Sequence, residues 1–198
     1  NLQDAQSIEI QEGNKYSIGY KDCDIPLNSP LSFSTKSKDG LVKIDDGRLS
    51  FQIVESCNSK LTLLSINSGT IFQGKGVNFP GIKLKLPSVT EKDLKDLEYA
   101  VKLKADWLAM SFVRSASDLG FIKEAQKEHN VEIPVIAKIE KPEAIEDLGA
   151  IISTFDGILV ARGDLGVEMP LPELPILQKK IVNECLQKHK PVIIATQM

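Results

Sequence analysis

The chain has 198 residues, 42% of them hydrophobic and 26% charged, with a formal net charge of −3. That balance describes a soluble globular protein and excludes the basic footprint of a nucleic-acid binder, and no apolar run approaches the length of a membrane span. Cys23, Cys57 and Cys185 are too few and too scattered for a disulfide framework, and with two histidines they make no zinc spacing, so a reducing cytoplasm is the expected compartment.

Residues 1–86 read as a small all-β domain. The runs 41–44, 49–54 and 61–66 alternate apolar and polar residues, which places one face of each strand on a core. Asp46-Gly47 and Asn67-Ser68-Gly69 split them as hairpin turns. Gly74-Lys75-Gly76 and the turn-prone Asn78-Phe79-Pro80-Gly81 close the domain, and Leu86-Pro87-Ser88 leads out of it, so the boundary falls near 82–88.

From 87 to 198 the period changes. Leu94, Leu97 and Val101 mark a first helix, with Thr90 and Asp93 in the capping-box relation at its start. Short Val- and Ile-rich runs follow at 107–113, 133–139, 157–161 and 192–195, too short for core helices and therefore strands. Between them lie amphipathic stretches: Ala144, Leu148 and Ile151 share one stripe, and Leu177, Ile181 and Cys185 another. Ser115 with Asp118 fits a second cap, and Pro142 suits a first helical turn. His129 and His189 fall near helix carboxyl ends, where positive charge is favourable.

Helix and strand repeat every 25 to 35 residues or so, which implies right-handed βαβ units and a parallel sheet buried on both faces. Two architectures satisfy this: part of an eight-stranded α/β barrel, or a doubly wound open sheet. Polar residues end every strand, at Ser111-Phe112, Lys138-Ile139-Glu140, Arg162-Gly163-Asp164 and Thr196-Gln197, which favours the barrel, because an open sheet gathers its polar residues at one switch point.

Side chains alternate along a strand, so Lys138 and Glu140 project together with Ile139 turned the other way. Arg162 and Asp164 stand in the same relation one strand later if that strand continues. Parallel neighbours about 4.8 Å apart bring the carboxylates of Glu140 and Asp164 within reach of one ion. Two like charges about 4 Å apart repel by roughly 4 kcal/mol near a surface, so a cation is required between them. A hard ion such as Mg²⁺ meets that requirement, and so does a structural network in which Lys138 or Arg162 neutralises both acids. Gly163 and Gly166 flank Asp164 and permit close approach of a carboxylate or phosphate to the backbone.

Five strings then carry a family resemblance: Leu86-Pro87-Ser88-Val89-Thr90-Glu91-Lys92-Asp93, Ser111-Phe112-Val113-Arg114, Ala137-Lys138-Ile139-Glu140, Ala161-Arg162-Gly163-Asp164-Leu165-Gly166 and Ala195-Thr196-Gln197-Met198. In order and spacing they resemble pyruvate kinase. Asp45-Asp46-Gly47 and Gly74-Lys75-Gly76-Val77-Asn78 are similar to that family's mobile B-domain lid.

The resemblance implies a partial (β/α)8 TIM barrel of about four strands at 87–198, preceded by the lid at 1–86. It also implies a cytoplasmic glycolytic enzyme that transfers the phosphoryl group of phosphoenolpyruvate to ADP, giving pyruvate and ATP. By resemblance Lys138 stabilises the phosphoryl group in flight and Glu140 and Asp164 hold Mg²⁺ or Mn²⁺. The backbone of Gly163 and Asp164 and the hydroxyl of Thr196 hold the substrate carboxylate, with Thr196 near the face where the enolate is protonated. Lys75 contacts a nucleotide phosphate. The family's K⁺ ligands and its phosphate-binding arginine lie outside these residues, as does much of its homotetramer contact.

On that ground the 198 residues are expected to be a segment of a longer protein, inactive alone. Two other readings share the motifs: a metal-dependent aldolase of the phosphoenolpyruvate and pyruvate type, and a non-catalytic fragment.

Overall fold

The computed structural model describes residues 7–28, 30, 40–57, 59–82 and 87–195. The chain divides into two compact units, Asn1–Leu86 and Pro87–Met198. Every described helix or strand of the first unit is a strand: β1 (Ser7–Ile10), β2 (Lys15–Gly19), β3 (Ile25–Pro26), β4 (Leu41–Ile44), β5 (Leu49–Cys57), β6 (Lys60–Ser65), β7 (Gly69–Phe72) and β8 (Val77–Asn78). A six-stranded sheet runs β3-β2-β6-β5-β4-β8, and β1 pairs with β7.

The period-two pattern shows directly in β5 and β6, where Leu49, Phe51 and Ile53 alternate into the core to meet Leu61 and Leu63. The turn between β4 and β5 is tight because Asp45, Asp46 and Gly47 all adopt positive φ (55°, 54° and 82°), the backbone that Asp and Gly tolerate best.

The second unit alternates helix and strand: α1 (Glu91–Lys102), β9 (Leu108–Met110), α2 (Asp118–Glu128), β10 (Val135–Ile139), α3 (Pro142–Glu146), α4 (Leu148–Thr154), β11 (Gly157–Ala161), α5 (Arg162–Glu168), a 3-10 turn at Leu171–Glu173, α6 (Leu174–Gln187) and β12 (Val192–Ala195). All pairings in its four-stranded sheet are parallel, and the order β9-β10-β11-β12 follows the chain. Sequential order without reversal winds the sheet in one direction, as in a curled, half-barrel α/β sheet. A doubly wound sheet turns back at a switch point. Val135, Ala137, Ile139, Ile158 and Val160 lie under Leu148, Ile151, Ile152 and Phe155, so the sheet's helical face is sealed.

Local signals explain most element ends. Thr90 accepts from the backbone N–H of Asp93 (3.2 Å), and Asp93 accepts from the Thr90 backbone N–H (2.7 Å), a complete capping box at α1. Pro142 occupies the first turn of α3.

Four expectations fail in whole or in part. The run 107–113 is a strand only over β9, because Phe112 takes φ +55° and turns the chain out of the sheet. The stripe through Ala144, Leu148 and Ile151 spans two helices. Asp147 breaks them at φ −108°, ψ 18° while accepting a bond from the Ala116 N–H (2.8 Å). The Ser115–Asp118 cap forms only by half: Asp118 accepts from the Ser115 N–H (3.1 Å), but Ser117 stands at the N-cap of α2 and the Ser115 hydroxyl meets Ser117 Oγ (2.7 Å) instead of the helix backbone. The strand ending at Ala161 does not continue to Asp164, because α5 begins at Arg162 and buries Leu165 and Glu168 at helical spacing.

Candidate active site

The carboxyl end of β10 gathers the first group of site residues. Lys138 and Glu140 lie on the same side, as alternation requires, and their Nζ and Oε1 atoms are 2.6 Å apart. Lys138 also donates to Ser111 Oγ at 2.9 Å, from the end of β9. The Glu140 side chain is only 2% exposed, against 27% for Lys138, so the acid is buried and the ammonium reaches toward solvent.

The second carboxylate oxygen of Glu140 accepts from the Phe112 backbone N–H at 2.7 Å. That bond depends on the left-handed conformation of Phe112, an uncommon one for a bulky residue and so a held feature of the loop. Lys138 thus neutralises Glu140 from within the chain, one half of the network the sequence allows for Glu140 and Asp164. An ammonium has three N–H donors, and among the described residues two are engaged, leaving one for a ligand oxygen. An ionised carboxylate has about four lone-pair sites, so Glu140 also keeps acceptor capacity.

The second group opens α5. Two positions apart in a helix turns side chains by about 200°, so Arg162 and Asp164 face different ways, contrary to their expected alternation along a strand. Arg162 Nε makes a long contact, 3.4 Å, to the carbonyl of Ala195 at the end of β12. Gly163 and Asp164 are exposed. Among the described residues nothing lies within 4 Å of where a Gly163 Cβ would stand. Gly166 answers to packing instead: a Cβ there would meet Leu171 Cδ2 at 2.9 Å and Leu174 Cδ1 at 3.2 Å. Thr196, Gln197 and Met198 lie outside the described residues.

Lys75 belongs to the first unit and is described only within it. Its Nζ lies 2.8 Å from Oδ1 of Asp45, whose side chain is nearly buried, and Arg48 reaches the other oxygen at 3.7 Å. Asp45 thus presets the Lys75 ammonium on a loop built from Gly74 and Gly76.

Sequence reasoning missed two further networks. Asp118 is buried and accepts from the Ser88 hydroxyl (2.7 Å) and from the backbone N–H groups of Arg114 (2.8 Å) and Ser115 (3.1 Å). Burial pushes its pKa up, but those bonds and the Arg114 charge outweigh burial and hold the carboxyl below its ordinary value. Lys141 pairs with Glu168, whose side chain is 3% exposed. Ser88 stands 30 residues from Asp118 and Glu168 27 from Lys141, beyond any local pattern, whereas the Arg114 and Ser115 N–H groups are local to Asp118, three residues after Ser115.

All of residues 1–198 match the family model described as pyruvate kinase, barrel domain. The chain belongs to the pyruvate kinase family. It is 41% identical over 168 residues to a pyruvate kinase of Corynebacterium glutamicum, covering 85% of this chain and 35% of that protein. To pyruvate kinase 2 of a Synechocystis strain it is 38% identical over 208 residues, covering all of this chain and 34% of the relative. A solved pyruvate kinase from Cryptosporidium parvum superposes with a TM-score of 0.84 at 34% identity, covering 97% of this chain and 42% of that one. The chain spans about a third of the length of the curated relatives it matches. Family membership fits the pairing of an ammonium and a buried carboxylate at the carboxyl end of one strand of a curled parallel sheet.

Proposed function

We propose that the protein containing this segment transfers the phosphoryl group of phosphoenolpyruvate to ADP, giving pyruvate and ATP. The observation that carries the reading is the Lys138–Glu140 pair at 2.6 Å, set at a strand's carboxyl end inside the family's motif. On this reading the second unit is four strands of a (β/α)8 barrel and the first is a lid over nucleotide.

Among the described residues Lys138 keeps an N–H for a substrate oxygen, which would place positive charge where negative charge spreads during transfer. Glu140 and Asp164 are oxygen donors of the kind Mg²⁺ or Mn²⁺ takes in ones and twos, leaving its remaining positions to substrate and water. Among the described residues no three His, Cys, Asp or Glu form a metal cage. When bound, the ion would supply Lewis-acid polarisation of the enol oxygen and carboxylate.

Gly163 is required neither by its φ nor by a described neighbour, which supports a role toward a ligand. With the Asp164 N–H and the Thr196 hydroxyl it would hold the substrate carboxylate, Thr196 lying near the face where the enolate takes its proton. Lys75 would meet nucleotide phosphate, drawn off Asp45 by the stronger charge. K⁺ dependence, a homotetrameric assembly and a cytoplasmic location complete the reading.

The test is Lys138→Met in the full-length protein, following ATP formation from phosphoenolpyruvate and ADP. We expect kcat to fall at least about 100-fold, roughly 2.7 kcal/mol of barrier. A loss under about tenfold at saturating substrate removes Lys138 from the role given to it.

A further inference from the structure

We propose that the buried Lys141–Glu168 ion pair is a positioning pair for the divalent-ion site, fixing Asp164 on α5 relative to Glu140 at the end of β10. The inference rests on the metal role assigned above to Glu140 and Asp164, and it adds two residues that touch neither substrate nor ion.

Sequence spacing makes the pair a lever. Lys141 is the residue after Glu140, and Glu168 lies four residues after Asp164 on the same helix. Residues i and i+4 share a helix face about one turn apart. A grip on Glu168 is therefore a grip on the face that carries Asp164, one turn further along. Lys141 supplies that grip from the backbone that also carries Glu140, in an extended conformation at φ −123°, ψ 144°.

Burial argues that the pair serves geometry more than stability. Glu168 is 3% exposed and Lys141 25%, so the acid has lost most of its water. Desolvation offsets much of the attraction in such a pair, and an apolar pair of similar volume often holds a fold as well. What the ion pair adds is a fixed separation between two charged groups.

Other contacts make α5 a rigid body for this lever to aim. Its far half is packed by Leu165 and Val167, and Gly166 is pressed against Leu171 and Leu174. Its near end leaves β11 at Ala161, which is held in register with Ala195 of β12. On this inference the freedom left to α5 is a tilt of its first turn, which carries Asp164, and the Lys141–Glu168 tie is what limits it.

The experiment uses the full-length protein and Mn²⁺ alone as probe, read by electron paramagnetic resonance of free Mn²⁺ without substrate or nucleotide. Variants are Lys141→Met, Glu168→Gln, the neutral double variant, and Lys141→Arg, with Glu140→Gln and Asp164→Asn as references. We expect each single variant and the double variant to weaken Mn²⁺ binding about tenfold or more. Lys141→Arg should stay within about threefold of the parent, and kcat at saturating Mg²⁺ should recover to within about threefold in Lys141→Met.

The double variant removes both charges of the pair together and keeps the test readable if a single variant fails to fold. Unchanged Mn²⁺ affinity in the double variant, whatever its melting temperature, overturns the positioning role while the references still lose binding. Unchanged affinity in Glu140→Gln and Asp164→Asn overturns the metal reading and this inference with it.

Discussion

The two units handle charge in opposite ways. In the β unit the one buried carboxylate among the described residues, Asp45, sits on a hairpin turn beside two cations, and the sheet interior is apolar. In the α/β unit the carboxylates of Asp118, Glu140 and Glu168 are buried, each a short distance after a strand's carboxyl end. The opposite edge of that sheet uses polar groups for backbone alone: Gln126 exchanges two bonds with Ile133, and Asp156 accepts from the Val135 N–H at 2.8 Å. Connectivity explains the contrast. A hairpin turn as short as Asp45-Asp46-Gly47-Arg48 has little chain with which to cover its charges, whereas each parallel crossover opens a long loop above the strand it leaves. Buried charge at one sheet edge, where three loops converge, is the arrangement that chemistry needs and stability does not.

The largest test of that contrast is core truncation. Phe51→Ala and Phe155→Ala each remove a fully buried ring from a different unit and should each cost about 3–5 kcal/mol. Hydrogen exchange should show lost protection confined to the unit that carries the change. Loss spread equally over both would merge the two cores into one.

A smaller effect is expected from Asp118→Asn. Because the Asp118 pKa is lowered on folding, its stabilisation is fully present above the unfolded value and is lost as pH falls through the lower folded one. The variant should therefore lose about 1–3 kcal/mol at neutral pH, with the gap to the parent closing below about pH 4. Urea melts at several pH values measure this, and a gap that widens in acid reverses the sign argued here. Smallest is Thr90→Ala, which removes one half of the capping box and should cost about 1 kcal/mol by chemical denaturation, with catalysis untouched.

Much of this was legible beforehand. The strands at 157–161 and 192–195 have the ends that their apolar runs predict, because each is a short Val- and Ile-rich segment of a sheet covered by helices. Capping at Thr90 and the turn at Asp46-Gly47 are local chemistry, and local chemistry is what a sequence displays. Lys138 and Glu140 were paired by strand alternation alone. The α5 boundary was not: Arg162-Gly163-Asp164 carries neither a cap nor a clear period, and the packing of Leu165 decided it. The Asp147 break depends on an amide 31 residues earlier, and the Lys141–Glu168 tie joins residues 27 apart. Such partners are chosen by the tertiary fold.

Phe112 carries a final consequence. A left-handed backbone at a residue with a ring costs about 1–2 kcal/mol, and its side chain, 54% exposed, recovers little of that by packing. Phe112→Gly would relieve the torsion, against which the freer unfolded chain costs about 0.4–1 kcal/mol, so the melting temperature should hold or rise only slightly. The same change would let the amide wander from Glu140 and slow turnover. A steadier but slower enzyme from a single atom-trimming change would mark this loop as a place where fitness was bought with tension.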